Sequence, residues 1–265
     1  GRACVESLVE DGAVVAALDI DPQVTSSFSG TNILGLRCDV TDGLAIKDAV
    51  DATIQQFGGL DIVVSNAGIF TAGAMIGELD DADWDRSLDV NLTAAMRVLR
   101  VSVDYLKYGI DSAVVIVGSK NVPAPGPGAA AYSAAKAGLT QLARIAALEL
   151  APHGIRVNTV HPNAVFDTAI WTEEVLAGRA AHYGLTVSEY KSSNLLTREV
   201  RSKDVAAMVC VMAGPDFSRT TGAQVPVDGL SLIHISEPTR PERIGVGGVV
   251  VEKKRGGGGG GGGGG

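Results

Sequence analysis

The sequence predicts a three-layer α/β/α fold built on a doubly wound parallel sheet. Three observations lead there. Short apolar runs recur at 14–18, 33–38, 60–65, 114–117 and 154–160, each too short and too continuously apolar for an amphipathic helix. The longer stretches between them repeat their apolar residues at helical spacing. A residue capable of chemistry stands at the end of each run: Asp19, Asp39, Asn66, Ser119 and His161. Strands that alternate with helices pair in parallel, and such sheets bind ligands outside the carboxyl ends of their strands.

The elements follow in order. Gly1–Val5 leads into an amphipathic helix that runs to about Glu10 and stops at Gly12. Val14–Leu18 is a strand ending at Asp19, and 25–31 is a polar loop. Ile33–Cys38 is the second strand, closed by Asp39-Val40-Thr41. Ala45–Phe57 is a helix stopped by Gly58-Gly59, and Leu60–Ser65 is a strand that runs into Asn66-Ala67-Gly68. Asp80–Tyr108 reads as one long helix carrying Asn91. The β-branched run Val114–Val117 is the central buried strand, followed by a Pro/Gly loop and a helix from Ala129. Gly154–Val160 is the next strand, and 161–196 is expected to be irregular and partly aromatic. A helix, Asp204–Ala213, and a last short strand, Ala223–Val227, complete the pattern.

Composition narrows the function. The 265 residues, 46% of them hydrophobic, suffice for a sizeable core. A net charge of −8 argues against nucleic acid and against an anionic membrane surface as partners. No apolar run approaches the roughly 18 residues of a membrane span. Cys4, Cys38 and Cys210 are odd in number and far apart, which suggests a reducing, cytoplasmic setting, no disulfide framework and no metal site.

The chemistry centres on residues 119–136. Ser119 lies just past the central strand, and Tyr132 and Lys136 stand one helical turn apart on one face. A phenol titrates near pH 10 and is a poor base at neutrality. A neighbouring ammonium is expected to favour the phenolate and lower that pKa. The serine hydroxyl can hold a reacting oxygen without a charge of its own. The set suits proton transfer beside a bound ligand.

Asn66-Ala67-Gly68, Asn91, Ser119 and Tyr132-Ser133-Ala134-Ala135-Lys136 resemble the short-chain dehydrogenases/reductases in order and spacing, over Gly1–Gly229. The resemblance implies a Rossmann-like fold and roles residue by residue. Tyr132 would be the general acid/base. Lys136 would lower its pKa and hold the nicotinamide ribose. Ser119 would position the substrate oxygen, and Asn91 would anchor a water in the proton relay. Asn66, Ala67 and Gly68 would shape the cofactor's edge of the sheet, and Val165 would lie near the nicotinamide. Asp19 ends the strand after the first helix, where an acid accepts from both adenosine-ribose hydroxyls and repels a 2′-phosphate, so the expected cofactor is NAD. Asp39, with Val40, would contact the adenine. No metal is implied.

The sequence departs from the family pattern in two places. The first strand and glycine-rich turn are missing, Gly1 resembling that turn's last glycine, so the chain as given is expected to bind NAD weakly and to be poorly stable, if active at all. Pro162-Asn163 stands where the family has Pro-Gly, and Thr168 falls one residue late for a contact with the carboxamide.

Finer matches, SKNVPAPGPGAAAYSAAKA, HPNAVFDTAIW and RTTGAQVPVDG, resemble the dehydrogenase domain of bifunctional rhamnulose-1-phosphate aldolase/short-chain dehydrogenases. That implies an upstream aldolase domain and NAD-dependent oxidation of lactaldehyde in rhamnose catabolism, with Lys120, Asn121, His161 and Trp171 as pocket candidates. The alternatives are a generic sugar or polyol dehydrogenase and a non-catalytic NAD-binding redox sensor. The resemblance also implies a homo-oligomer formed through the two long helices, with Ala134, Ala135 and Gly138 permitting close approach.

From Leu230 onward the chain reads differently. LSLIHISEPTR is the translation of a common transposase sequencing adapter, and Gly256–Gly265 resembles poly-G base calls past the end of a read. Residues 230–265 are therefore expected to be a non-native tail, and the dehydrogenase domain is expected to span 1–229.

Overall fold

A computed structural model describes residues 1–231, which lie in the first of the chain's two units, Gly1–His234 and Ile235–Gly265. The expected non-native tail lies, from residue 232 on, outside the described residues.

The described residues form a Rossmann-like α/β fold. The element order is α1 (Arg2–Glu10), β1 (Val15–Asp19), β2 (Ile33–Arg37), α2 (Gly43–Phe57), β3 (Ile62–Ser65), α3 (Asp81–Leu88), α4 (Ala94–Leu106), β4 (Ala113–Val117), α5 (Ala130–Leu150), β5 (Arg156–Pro162), α6 (Glu173–His182), α7 (Val187–Lys191), α8 (Ser202–Ala213) and β6 (Gln224–Val227). Every strand pair is parallel, and the strands fall into two sheets, β1-β2 and β3-β4-β5-β6. Ala113–Ile116 of β4 are fully buried, which is why that strand reads as an uninterrupted apolar run.

Two apolar layers cover β4 from opposite sides. On one side Leu139, Ala143 and Ala147 of α5 and Leu99 and Leu106 of α4 pack on Val114 and Ile116. On the other, Cys4 and Leu8 of α1 and Val205, Val209 and Met212 of α8 pack on Val115 and Val160. The second layer also takes in Val15 of β1 and Ile62 and Val64 of β3, so one cluster lies under both sheets.

Two expectations need correction. The helix expected over 80–108 is interrupted by one π-helical turn, Asp89–Thr93, between α3 and α4. The stretch expected to be irregular holds α6 and α7, each started by a threonine whose hydroxyl accepts a backbone N–H three residues on: Thr172 from Val175 and Thr186 from Glu189.

Candidate active site

The strand ends converge as the sequence suggested. Asp19 closes β1, Asp39 follows β2, Asn66–Gly68 follows β3, Ser119 stands two residues past β4, and His161 is the penultimate residue of β5. All lie at the carboxyl edge. The chain past β4 is held against β5, with the Gly118 N–H donating to the Val160 carbonyl (2.8 Å) and the Lys120 N–H to the Pro162 carbonyl (3.0 Å).

Ser119 is buried, its Oγ accepts from the Asn121 N–H at 3.1 Å, and its side chain hydrogen-bonds Tyr132. Tyr132 and Lys136 lie on the first two turns of α5. The Lys136 ammonium donates to the Val117 carbonyl at 2.9 Å and stands 5.9 Å from the centre of the Tyr132 ring. Ser119, Tyr132 and Lys136 are thus brought together around the end of β4.

The electrostatics differ from the expectation. Burial pushes the Tyr132 phenol up, and the Ser119 hydrogen bond draws it back only in part. Burial also depresses Lys136, to about 8. A cation only 3% exposed is itself costly to charge, so Lys136 does not bring the phenol below its ordinary range in this structure.

Asn91 sits in the π turn and is 1% exposed. Its Oδ1 accepts from the Ile69 N–H (3.1 Å), and its Nδ2 donates to the Ile69 carbonyl (3.0 Å) and the Ser87 carbonyl (3.0 Å). The side-chain amide therefore clamps the backbone just after Asn66-Ala67-Gly68. A Cβ on Gly68 would approach Asn91 Oδ1 to 2.8 Å and Lys136 Nζ to 3.4 Å, so glycine lets this loop lie against the site. Phe70, which sequence reasoning passed over, packs its ring 5.1 Å from that of Tyr132. The same loop reaches residues 128–129 through the Ala74 N–H, which donates to the Gly128 carbonyl at 3.1 Å.

The residues proposed for NAD fit a dinucleotide lying along this edge. The α1 N-terminus opens at Gly1, where a Cβ would meet Asn66 Nδ2 at 3.2 Å, so the helix end and the β3 loop adjoin. The Asp19 carboxylate is exposed, and its Oδ1 accepts from the Asp21 N–H at 3.0 Å. Oδ1 of Asp39 accepts from both the N–H (2.9 Å) and hydroxyl (2.7 Å) of Thr41, which hold its carboxyl below the usual range. Val40 packs in the cluster formed by Cys38, Ile46 and Val50.

Other candidates are placed differently. The Val165 side chain packs in the core layer beneath α8, while its carbonyl takes the Thr168 hydroxyl at 2.8 Å, so that hydroxyl is turned back on its own loop. Trp171 stacks in an aromatic cluster, 5.0 Å from Phe166 and 6.2 Å from Tyr190. Lys120 and Asn163 line a recess with Phe166, Tyr190 and Lys191, and burial lowers the Lys120 ammonium to about 8. Among the described residues no group of His, Cys, Asp or Glu side chains could hold a metal, and no helix is long and apolar enough to cross a membrane.

Comparison with known proteins agrees with this geometry. Residues 1–229 match a family described as enoyl-(acyl carrier protein) reductase. An uncharacterized NAD-dependent oxidoreductase of Mycobacterium tuberculosis is 31% identical over 249 residues, covering 86% of this chain and 90% of its own length. The trans-4-hydroxycyclohexanecarboxylate dehydrogenase of Sinomonas cyclohexanicum is 30% identical, covering 85% and 81%. The uncharacterized oxidoreductase YuxG of Bacillus subtilis is 32% identical over 84% of this chain but only 33% of its own length. Among solved structures, sorbitol-6-phosphate 2-dehydrogenase from Erwinia amylovora superposes with a TM-score of 0.78 at 25% identity, covering 86% and 94%. With Ser119 and Lys136 beside Tyr132 at the end of β4 and its sequence matched from the first residue to Gly229, the chain belongs to the short-chain dehydrogenase/reductase family of oxidoreductases.

Proposed function

We propose that this enzyme uses NAD to move a hydride to or from a small aldehyde or hydroxy substrate, and that the physiological reaction is oxidation of lactaldehyde in rhamnose catabolism. The observation that carries the reading is the placement of Ser119, Tyr132 and Lys136 around the carboxyl end of β4, with Asp19 at the carboxyl end of β1.

When bound, NAD would supply the hydride acceptor. Gly1, Asn66, Ala67 and Gly68 would line its path and Asp39 and Val40 would flank its adenine. Asp19 would accept from its ribose hydroxyls, while Tyr132 and Lys136 would border the nicotinamide; Val165, whose side chain packs in the core layer, would meet it only through its backbone. The Ser119 hydroxyl would hold the substrate oxygen, and Tyr132 would take the proton of the alcohol or aldehyde hydrate as the hydride leaves carbon. The Lys136 ammonium, charged below about pH 8, would favour the phenolate once the site is filled. Asn91 would serve the proton relay by anchoring a water beside the loop its side chain clamps.

The finer reading rests on the SKNVPAPGPGAAAYSAAKA and HPNAVFDTAIW segments and on YuxG, of which this chain matches only a third, as a dehydrogenase domain joined to another domain would. An upstream aldolase domain, a cytoplasmic location and pairing of copies through α4 and α5 belong to the same proposal. A second reading is dehydrogenation of a sugar, polyol or cyclic hydroxy acid, favoured by the relatives that act on sorbitol 6-phosphate and hydroxycyclohexanecarboxylate.

The test is NADH formation by the full-length protein with lactaldehyde, polyols and hydroxy acids, alongside Tyr132→Phe. Turnover with lactaldehyde that is lost on Tyr132→Phe, with NADH still bound, is the expected result. Turnover only with a polyol or hydroxy acid moves the assignment to the second reading. NADH binding without turnover of any substrate turns the assignment to a redox sensor.

A further inference from the structure

His161 makes a contact that the acid/base set does not by itself require. The residue is 4% exposed, and its Nδ1 lies 2.9 Å from the Ser119 carbonyl oxygen and 3.2 Å from the Ser119 amide nitrogen. The backbone on either side of Ser119 is tied to β5 through the N–H groups of Gly118 and Lys120. Between these two ties the His161 side chain meets the Ser119 backbone. Gly118 makes room: a Cβ at that position would come within 2.7 Å of Nδ1 and 2.8 Å of Cε1.

The two Ser119 contacts exclude each other. A protonated Nδ1 donates to the carbonyl, whereas an unprotonated one accepts from the amide. Of the two, the carbonyl contact at 2.9 Å is the shorter, and it favours a proton on the ring, so Nδ1 carries the proton and donates to the Ser119 carbonyl.

We propose that His161 is a positioning residue for the hydride-transfer reaction: its neutral imidazole, with its proton on Nδ1, holds the Ser119 carbonyl and so aims the Ser119 hydroxyl at Tyr132 and the substrate oxygen. The inference rests on the reading of Ser119, Tyr132 and Lys136 as the acid/base set. It assigns one further residue, from β5, to the support of the reacting hydroxyl.

The experiment compares His161→Leu, His161→Asn, Ser119→Ala and Tyr132→Phe in the full-length protein by kcat, KM, NADH affinity and thermal midpoint. His161→Leu is expected to lose about 10- to 100-fold in kcat with NADH affinity unchanged, the scale of a misaimed catalytic group. His161→Asn presents an amide N–H where Nδ1–H stood and is expected to recover most of that loss. A folded His161→Leu with kcat within about twofold of wild type, or no recovery in His161→Asn, overturns the proposal. If Ser119→Ala and Tyr132→Phe also keep full turnover, it is the reading of the site that fails. If those two lose turnover while His161→Leu does not, only the positioning role falls. Should His161→Leu not fold, 15N NMR of the wild-type imidazoles decides. The sequence has four histidines, and the buried one is recognised because burial, Lys136 and Arg144 hold its pKa below the ordinary range. An Nδ1-protonated ring supports the proposal, and an Nε2-protonated ring overturns it.

Discussion

Lys136 shows what the candidate active site costs the fold. Its ammonium is 3% exposed, with one hydrogen bond to the Val117 carbonyl, and burial depresses its pKa from 10.5 to about 8. At 1.36 kcal/mol per unit, that depression corresponds to roughly 3 kcal/mol of stability withheld from the folded state. The sign follows from proton binding. Below about pH 8 both states carry the proton and the full cost is present. Between about 8 and 10.5 only the unfolded chain binds it, so stability rises with pH, and above 10.5 the cost has gone. Lys136→Met is therefore expected to be more stable than wild type at neutral pH by about 1–3 kcal/mol and to lose turnover. The gap should close as pH climbs toward 10.5. Urea unfolding of both proteins across that range measures it. A variant less stable than wild type at neutral pH would show that the Val117 bond outweighs the burial of charge.

At the scale of the element, stability and chemistry sit at opposite ends of β5. Arg156 opens the strand, only 8% exposed, and its guanidinium donates to the carbonyls of Met212 (2.7 Å), Ala213 (2.8 Å) and Phe217 (3.2 Å), where α8 ends and has no further helical donors. Arg156→Met would bury those acceptors unpaired. It is expected to cost about 2–4 kcal/mol, seen as a lowered thermal midpoint, with kcat unchanged because the site lies at the strand's other end. Nothing in the sequence marks Arg156, since an arginine opening an apolar run reads as an edge charge. What the sequence did disclose was the periodicity of strands and long helices and the coincidence of Asp19, Asn66 and Ser119 at strand ends. The π turn escaped it because one extra residue within a turn barely disturbs the apolar pattern around Asn91, though its amide clamp on Ile69 depends on that turn. The helix α7 was missed although it carries a signature: Thr186-Val187-Ser188-Glu189 is a capping box, with the Glu189 carboxylate accepting from the Thr186 N–H at 2.8 Å. The surrounding aromatic residues hid it. The expected role of small residues on α5 divides in the same way. Ala135 is wholly buried, and a Cβ on Gly138 would meet Leu92 Cδ2 at 3.0 Å, so Gly138 is small because the π turn packs on α5 within one chain. Only Ala134 is exposed.

The whole molecule holds its two sheets together through side chains rather than a shared ladder. Cys4 and Leu8 of α1 and the apolar face of α8 cover Val15 on one sheet and Ile62 and Val64 on the other. On the opposite side Leu18 and Leu36 join Val98 and Val101 of α4, and Arg97 reaches the Thr41 carbonyl at 2.7 Å. Among the described residues the outer face of α5 has no such cover. Ala134, Ala137, Gln141, Ile145 and Leu148 recur at helical spacing along it, and Leu148 is 72% exposed and Ile145 42%. An apolar stripe on a helix of 21 residues is the kind of surface that a second copy of the same helix covers by two-fold pairing, each Leu148 meeting the partner's equivalent stripe. The proposed pairing through α4 and α5 therefore predicts a dimer or tetramer in light scattering. Leu148→Glu would set two like charges near the two-fold axis and is expected to shift the population to monomers, with the thermal midpoint then dependent on protein concentration in wild type but not in the variant. A wild-type protein that is monomeric at every concentration would remove this pairing and leave the stripe as surface, because a self-complementary face that size should associate on its own.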